Sequence, residues 1–581
     1  MALTTYSGTL GIKRAAHLLR RATLGGMKSQ IDDFSGLTAI EAVSRLFPDT
    51  VIEPPLPLDP INGIEWVTNG PLNNGSEESE LQGYFKGWFI GQLMGTDILQ
   101  NESLPYVARE KLVFFMHTHF TTKESVVNNS RSLYFQNKLF RMYSFDRVQP
   151  AEINFNSLTK KLCIDNAMLK FLDGRLNVKD NPNENFAREL MELYTIGRGL
   201  EGTLPETSEQ GDYINYTEQD VQAAARILSG FETDTDFITI DLETGIPRGR
   251  ARGGVLATQH DMGNKQFSDR LDNASIAPDP LLLADLNVTN EDVAIDEISQ
   301  LIDLLYSKNE TARHICRKIY RFYVYHDIST EIDDNIIANL ADTFVNSGYK
   351  VQTVIEDLLK SQHFYDAAAG LDDNNFGGII KSPMDLMLGA YRFFNITFPN
   401  YSADTTQFYV ITSNVLRGMD DQGLNFYEPF EVAGYSAYHQ FPIYNRNWIS
   451  TNYLIRRYNF IRELIDEMEP GMLSVDLVSF VQSNFPVNIA ENAESLIIAL
   501  ATYLFPASDN LTFDDNDSGA EITNDRLRYF RYSFLYSPQI DADPLASWTY
   551  RWNNSPNDEV VSNQLKNLIN AMLQSPEYQL M

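Results

Sequence analysis

Only two cysteines, Cys163 and Cys316, occur in 581 residues. That number excludes a disulfide framework and a four-thiolate zinc site. Each lies in an apolar, helix-like context, which predicts a buried free thiol. Basic residues are scarce too: 46 Lys and Arg stand against 78 Asp and Glu, a formal net charge of -32. Binding a phosphate backbone needs a basic face, so this composition argues against nucleic acid, and the same field repels anionic lipid. No apolar run approaches the roughly 18 residues of a membrane span, so no transmembrane segment is expected. Met1 to Gly26 lacks the basic start, apolar stretch and small-residue cleavage site of a signal peptide, which by default points to the cytoplasm. A phosphate-cradling glycine loop, a nucleophile elbow and paired-cysteine motifs are all missing.

What is present suits a large core. Hydrophobic residues make up 43% and aromatics 12%, with 34 Phe and 29 Tyr, which is too apolar for general disorder. The length corresponds to about four domains at roughly 150 residues each, or to one large fused unit. Helical periodicity dominates. Ile336, Ile337, Leu340, Phe344 and Val345 form one stripe closed by Gly348, and Val351, Val354, Ile355, Leu358 and Leu359 form another, which predicts a helical hairpin. Thr311 to Tyr325 reads as a preceding helix. Phe237 to Ile240 before Glu243-Thr244-Gly245 is the β-hairpin candidate. Four prolines between Glu53 and Pro60 and the polar stretch Asn73 to Glu80 predict an exposed loop, and Asn400 to Tyr444 is poorly periodic. Ser361 and Ser575 each follow a helix and precede aromatics, a shared stopping device that hints at duplication. The expected fold is mainly α: a large multi-helix array with a small β-hairpin excursion near 231-260. A body over 1-460 carries a C-terminal helical segment, 461-581, packed on it.

Several stretches have chemical potential. At about 100° per residue, Lys13, Arg14, His17, Arg20 and Arg21 share one helix face, opposite Ala15, Ala16, Leu18, Leu19 and Ala22. In so acidic a chain this stripe is either an anion or acidic-substrate site or a face clamped by salt bridges. His117 and His119 point roughly 200° apart on a helix, so they could share a metal only where the helix ends; otherwise they bond the backbone. Glu184, Arg188 and Glu192 form an i, i+4 ladder with Glu189 alongside, which suits acid/base or metal chemistry or a solvated ion-paired face. His260-Asp261-Met262-Gly263-Asn264-Lys265 could complete a metal site with His117 or His119, or be a self-bonded turn. Thr217 with Asp220 reads as a capping box. Asp514 to Asp525 partly fits a calcium loop, although Glu is missing at its last position.

Together these stretches resemble domain-of-unknown-function family 1800, a group of large bacterial proteins. The matching pieces are His17 to Arg21, His117 to Phe120, Asn183 to Gly197, Thr217 to Phe231, His260 to Lys265, Arg313 to Tyr325 and Asn447 to Thr451, in the family's order. Two departures occur: Gly434-Tyr435 replaces the usual Gly-Trp, and Asn400 to Tyr444 is expanded. The family carries no settled activity. Its members are often encoded beside family 1501 proteins, which look like sulfatases with export signals. The resemblance therefore implies an envelope complex, with this chain exported to the periplasm or cell surface alongside such a partner. Arg313 to Tyr365 also looks like helical modules of planctomycete envelope proteins. The leading expectation is an accessory or scaffold binding protein of a cell-envelope complex. The alternative is a metal-dependent hydrolase with a divalent metal on His117, His119 and His260, with Glu184, Arg188, Glu189, Asp261 and Lys265 as catalytic groups and Arg14, His17, Arg20 and Arg21 holding an anion.

Overall fold

The computed structural model describes residues 3–205, 207, 210–368, 375–466, 473–514, 519–536 and 541–581. Its principal helices are α1 (Gly11–Ala22), α2 (Gln100–His119), α3 (Asn185–Glu189), α4 (Glu218–Ile227), α5 (Asn290–Tyr306), α6 (Asn309–Tyr323), α7 (Ala338–Asn346), α8 (Val351–Lys360), α9 (Pro383–Phe393), α10 (Thr405–Asp421), α11 (Thr451–Ile465), α12 (Ala493–Leu504), α13 (Asn524–Leu535) and α14 (Glu559–Leu573). Two antiparallel two-strand sheets complete it: β1 (Phe231–Glu232) with β2 (Arg250–Ala251), and β3 (Lys265–Gln266) with β4 (Ser275–Ile276). The fold is mainly α with small hairpins.

Local chemistry explains the element ends. Asp220 accepts the Thr217 backbone N–H at 2.7 Å and the Thr217 hydroxyl at 3.0 Å, the capping box that opens α4. Gly348 closes α7 in the left-handed region at φ 72°. The buried stripes Leu340, Ala341, Phe344 and Val351, Val354, Ile355, Leu358, Leu359 bring α7 and α8 together. After α8 and α14 the chain turns in the same way. The Ser361 hydroxyl donates to Leu358 O at 2.7 Å and accepts from Phe364 N at 3.1 Å. The Ser575 hydroxyl donates to Met572 O at 2.7 Å and accepts from Tyr578 N at 3.4 Å.

One local expectation is corrected and two are refined. The hairpin candidate pairs at its tip, where Ile240 bridges Pro247 across the Glu243-Thr244-Gly245 turn and Arg248 N donates to Thr239 O at 2.9 Å. Ahead of it Asp234 accepts the N–H groups of Asp236, Ile238 and Thr239, so Phe237 sits in a turn at φ 56° and the next pairing lies further out, at β1 and β2. Asn400 to Tyr444 contains α10, whose buried Phe408, Ile411, Val415 and Met419 follow a helical stripe that the surrounding glycines and tyrosines obscure. The proline-rich loop, taken through to Glu80, is largely exposed, as expected, and is anchored at buried Asp59, which accepts from Gly75 N at 2.6 Å and from the Ser76 hydroxyl at 2.7 Å. The calcium-loop candidate lies partly outside the described residues. Among the described residues no helix is long and apolar enough to cross a membrane.

A continuous apolar core runs from Leu10 to Tyr578. The last segment lies against the first: α1 packs on α12, and Ile380 pairs with Leu580 beside it. This contact builds the site described next.

Candidate functional site

The basic stripe of α1 divides. Lys13 bonds surface carboxylates, Asp509 at 2.8 Å and Glu521 at 2.5 Å. Arg14 lies over the Tyr6 ring at 5.0 Å. His17 is buried between Phe364 and Phe376, with ring centroids 4.6 and 4.3 Å away, and burial holds its pKa well below the usual value. Arg20 and Arg21 point elsewhere, into a cluster with Lys111 of α2, Lys381 beside α9 and Arg457 of α11. Arg21, Lys111, Lys381 and Arg457 are all buried, and Arg20 stands at the rim.

Asp385 is the carboxylate they share. It accepts from Lys111 at 3.1 Å, and its negative charge opposes the loss of basicity that burial imposes on Arg21, Lys111, Lys381 and Arg457. Asp385 is fixed by its place in the capping box of α9, accepting the Ser382 hydroxyl at 2.6 Å. Backbone oxygens take part of the remaining demand. Lys111 donates to Arg20 O at 2.9 Å and Thr23 O at 2.6 Å. Arg21 donates to Asn375 O at 2.8 Å and Met581 O at 2.5 Å, and Arg457 to Lys381 O at 3.0 Å and Gln579 Oε1 at 2.7 Å. Arg20 reaches Tyr503 O.

Donors are left over: Arg20 Nη1, Arg21 Nε and Nη1, and Arg457 Nη1 have no hydrogen-bond partner. Lys381 Nζ sits 3.4 Å from the Tyr578 ring centroid. Burial lowers Arg20 and Arg457 to about 10 and Arg21 to about 9, so all three guanidiniums remain charged at neutral pH. Even with Asp366 counted beside Asp385, the basic groups outnumber the carboxylates. A cavity of about 40 Å³ lies beside the cluster, lined by Arg20, Lys381, Asp385, Tyr578 and Met581 together with Leu24, Ile31 and Phe393, while Arg21, Lys111 and Arg457 do not line it. The arrangement can neutralise and orient a small anion.

A second buried cluster joins three of the family-like stretches. His119, at the end of α2, places Nε2 3.2 Å from Tyr194 O. From α6, His314 Nε2 lies 3.1 Å from Leu193 O, and Lys318 donates to that same oxygen at 2.6 Å. His439 Nε2 lies 2.6 Å from Thr118 O. The two carbonyls belong to a π-helical turn, Leu190–Tyr194, that continues α3 and leaves its last oxygens without helical partners. Burial pushes the three imidazoles well below their ordinary range and Lys318 down to about 7. His119, His314 and Lys318 cap this π-helical end, and His439 caps the end of α2.

The proposed metal ligands are not brought together. His117 stacks on Tyr427 at 3.8 Å and meets the Tyr435 hydroxyl at 3.3 Å, the residue where the family usually has Trp. Burial pushes its pKa down to about 3. His260 is occupied at both nitrogens, by Ser229 O at 2.9 Å and Glu297 at 2.5 Å. Among the described residues no group of three His, Cys, Asp or Glu is positioned to hold a metal.

The proposed catalytic groups also separate. Lys265 donates to Glu297 at 2.6 and 2.8 Å, and Asp261 pairs with Arg226 at 2.7 Å, so this turn closes on α4 and α5 and does not join His117 or His119. Arg188 pairs with Glu184 at 3.3 Å but with Glu218 of α4 at 2.8 Å, while Glu192 pairs with Arg198 at 2.6 Å. The π turn is the cause: one extra residue rotates Glu192 by about 100° away from the ladder. Glu189 makes no ion pair, and burial together with the nearby Glu192 raises it to about 7.

The missed residues had uneven signals. His314 and Lys318 lie one turn apart on a helix, and Ser382-Pro383-Met384-Asp385 reads as a helix start. Lys111 and Arg457 sit in ordinary helical patterns with nothing to mark them.

The chain is therefore a mainly α protein whose chemistry-bearing motifs assemble as buried polar clusters. The model of the family described as "Protein of unknown function (DUF1800)" matches residues 17–580, and the chain belongs to that family. No curated protein and no solved structure matches it.

Proposed function

We propose that this protein is an accessory binding protein of the bacterial cell envelope, and that its ligand is a small tetrahedral oxyanion, sulfate or phosphate. One observation carries the ligand class: four buried basic side chains and Arg20 gather round Asp385, with Asp366 reaching only Arg21, and among the described residues four guanidinium nitrogens have no partner. Leaving such charge uncompensated in a low-dielectric interior costs several kcal/mol per ion. Other buried charges are matched by opposite ones, as Glu110 is by Arg109 and Arg141 and Asp333 by Arg313 and Arg317, or, like Arg392 and Lys350, by backbone oxygens. The cavity size limits the ligand to a few heavy atoms. The envelope placement and a sulfatase-like partner, whose chemistry would release sulfate, rest on the family resemblance. No observation favours the hydrolase.

Thermal unfolding in sulfate against chloride at equal ionic strength tests the ligand. A saturable rise is expected, reaching about 2.7 kcal/mol at a hundredfold excess over Kd, together with retention of labelled sulfate in equilibrium dialysis. Lys381→Met should abolish both, while being at least as stable as the natural protein in chloride, because an uncompensated buried charge is gone. An equal sulfate effect in that variant would end the proposal. Confinement to the cytoplasm on cell fractionation would end the envelope assignment.

A further inference from the structure

A groove of about 430 Å³ runs between α13 and α14, and its Tyr458 and Pro576 end adjoins Arg457 and Tyr578 of the basic cluster. One wall is aromatic: Tyr529 and Tyr532 of α13 and Tyr536, which follows the helix in extended backbone, are 51%, 73% and 60% exposed. From α14 come Asn567, Asn570 and Gln574. The amides follow the i, i+3, i+7 spacing that puts three side chains on one helix face over about 10 Å, and Tyr529 and Tyr532 share a face of α13 at i, i+3. The helices pack directly against each other through Leu527, Phe530 and Phe534 on one and Leu565, Leu568 and Met572 on the other, so the walls are rigidly opposed.

The chemistry is neutral. The groove's only charge, Arg526, is paired with Glu577 at 2.9 Å. Gln574 donates to Asn570 Oδ1 at 2.7 Å, which orients one amide pair, and the Asn567 side chain is exposed. Tyrosines offer flat faces with hydroxyl tips, and amides offer donors and acceptors in equal measure. A sugar chain matches both walls: its C–H faces lie on the rings and its hydroxyls, donor and acceptor at once, meet the amides. A proline-rich peptide would stack as well, but it lacks N–H donors and would leave the amide oxygens unfed. An anionic polymer would meet the field of a chain carrying a net charge of -32.

We infer that the groove between α13 and α14 binds a neutral oligosaccharide, with the tyrosines as stacking platform and the amides reading hydroxyls. This site is independent of the anion site. Calorimetric titration of the full chain with cellohexaose, xylohexaose and chitohexaose, and with decaproline as the competing class, decides it. Binding of at least one hexasaccharide is expected. Tyr532→Ala should weaken it tenfold or more and Asn567→Ala severalfold, whereas Tyr550→Ala, an exposed tyrosine outside the groove, should leave it unchanged. Both groove variants remove exposed side chains, so circular dichroism should match the natural protein. No binding of any hexasaccharide at millimolar concentration, equal binding by Tyr532→Ala, or preference for decaproline would overturn the inference.

Discussion

Removing the Glu297 carboxylate strands two groups at once. Lys265 and His260 both turn to it in a pocket where all three side chains are fully buried. Glu297→Ala is expected to cost about 3–5 kcal/mol, the range for breaking a buried ion pair, as measured by urea unfolding. A loss below 1 kcal/mol would mean that water enters the cluster. Glu189 presents the opposite case, since its surroundings favour the protonated acid and raise it to about 7. The folded protein therefore holds this proton more tightly than the unfolded chain, and stability falls as pH rises from about 4.5 to about 7. Glu189→Gln should be neutral at pH 4 and stabilising by about 1 kcal/mol at pH 8, after allowance for its partial exposure. A flat difference across that range would contradict the assignment. Such environments are invisible in sequence: Glu189 and Glu192 look alike until the fold half-buries both and pairs only Glu192.

At the scale of elements, a stretch was legible where its periodicity was unbroken and opaque where it was not. The α7–α8 hairpin, the box that opens α4 and the paired Ser361 and Ser575 stops follow from local spacing alone. The π turn at Leu190–Tyr194 does not, because a single inserted residue leaves the apolar pattern almost unchanged while redirecting Glu192. That turn ends at Gly197, held at φ 60°, where an added methyl group would lie 2.3 Å from the His314 ring. Gly197→Ala should therefore both strain the backbone and dislodge His314, costing about 2–4 kcal/mol. A protein melting within a degree of the natural one would show that the histidine can move aside. His314→Ala should recover part of that loss in the double variant.

Over the whole molecule, the distribution of charge carries more information than its sum. A net charge of -32 predicts an acidic exterior, yet the least compensated cluster inside is cationic. The residues that build it come from α1, α2, the start of α9, α11 and the final turn, a convergence that no local pattern encodes. The basic face of α1 was legible, with Arg20 and Arg21 among its members, but their partners were not. Truncation after residue 460 would remove Tyr578 from Lys381, Gln579 from Arg457 and the Met581 oxygen from Arg21. It would also expose apolar surface shared by the two parts, including the α1 contact with α12. The fragment 1–460 is expected to aggregate or to lack a cooperative thermal transition. A monomeric fragment with a sharp transition would show two independently folding parts.

Arg21 draws its hydrogen bonds from residues 354 and 560 positions further along the chain. During synthesis at about 5–20 residues per second, this guanidinium would wait half a minute or longer before its final acceptor leaves the ribosome. Helix α1 can settle only after the segment 560 positions downstream has been made, so the basic interior is sealed by a distant stretch of chain.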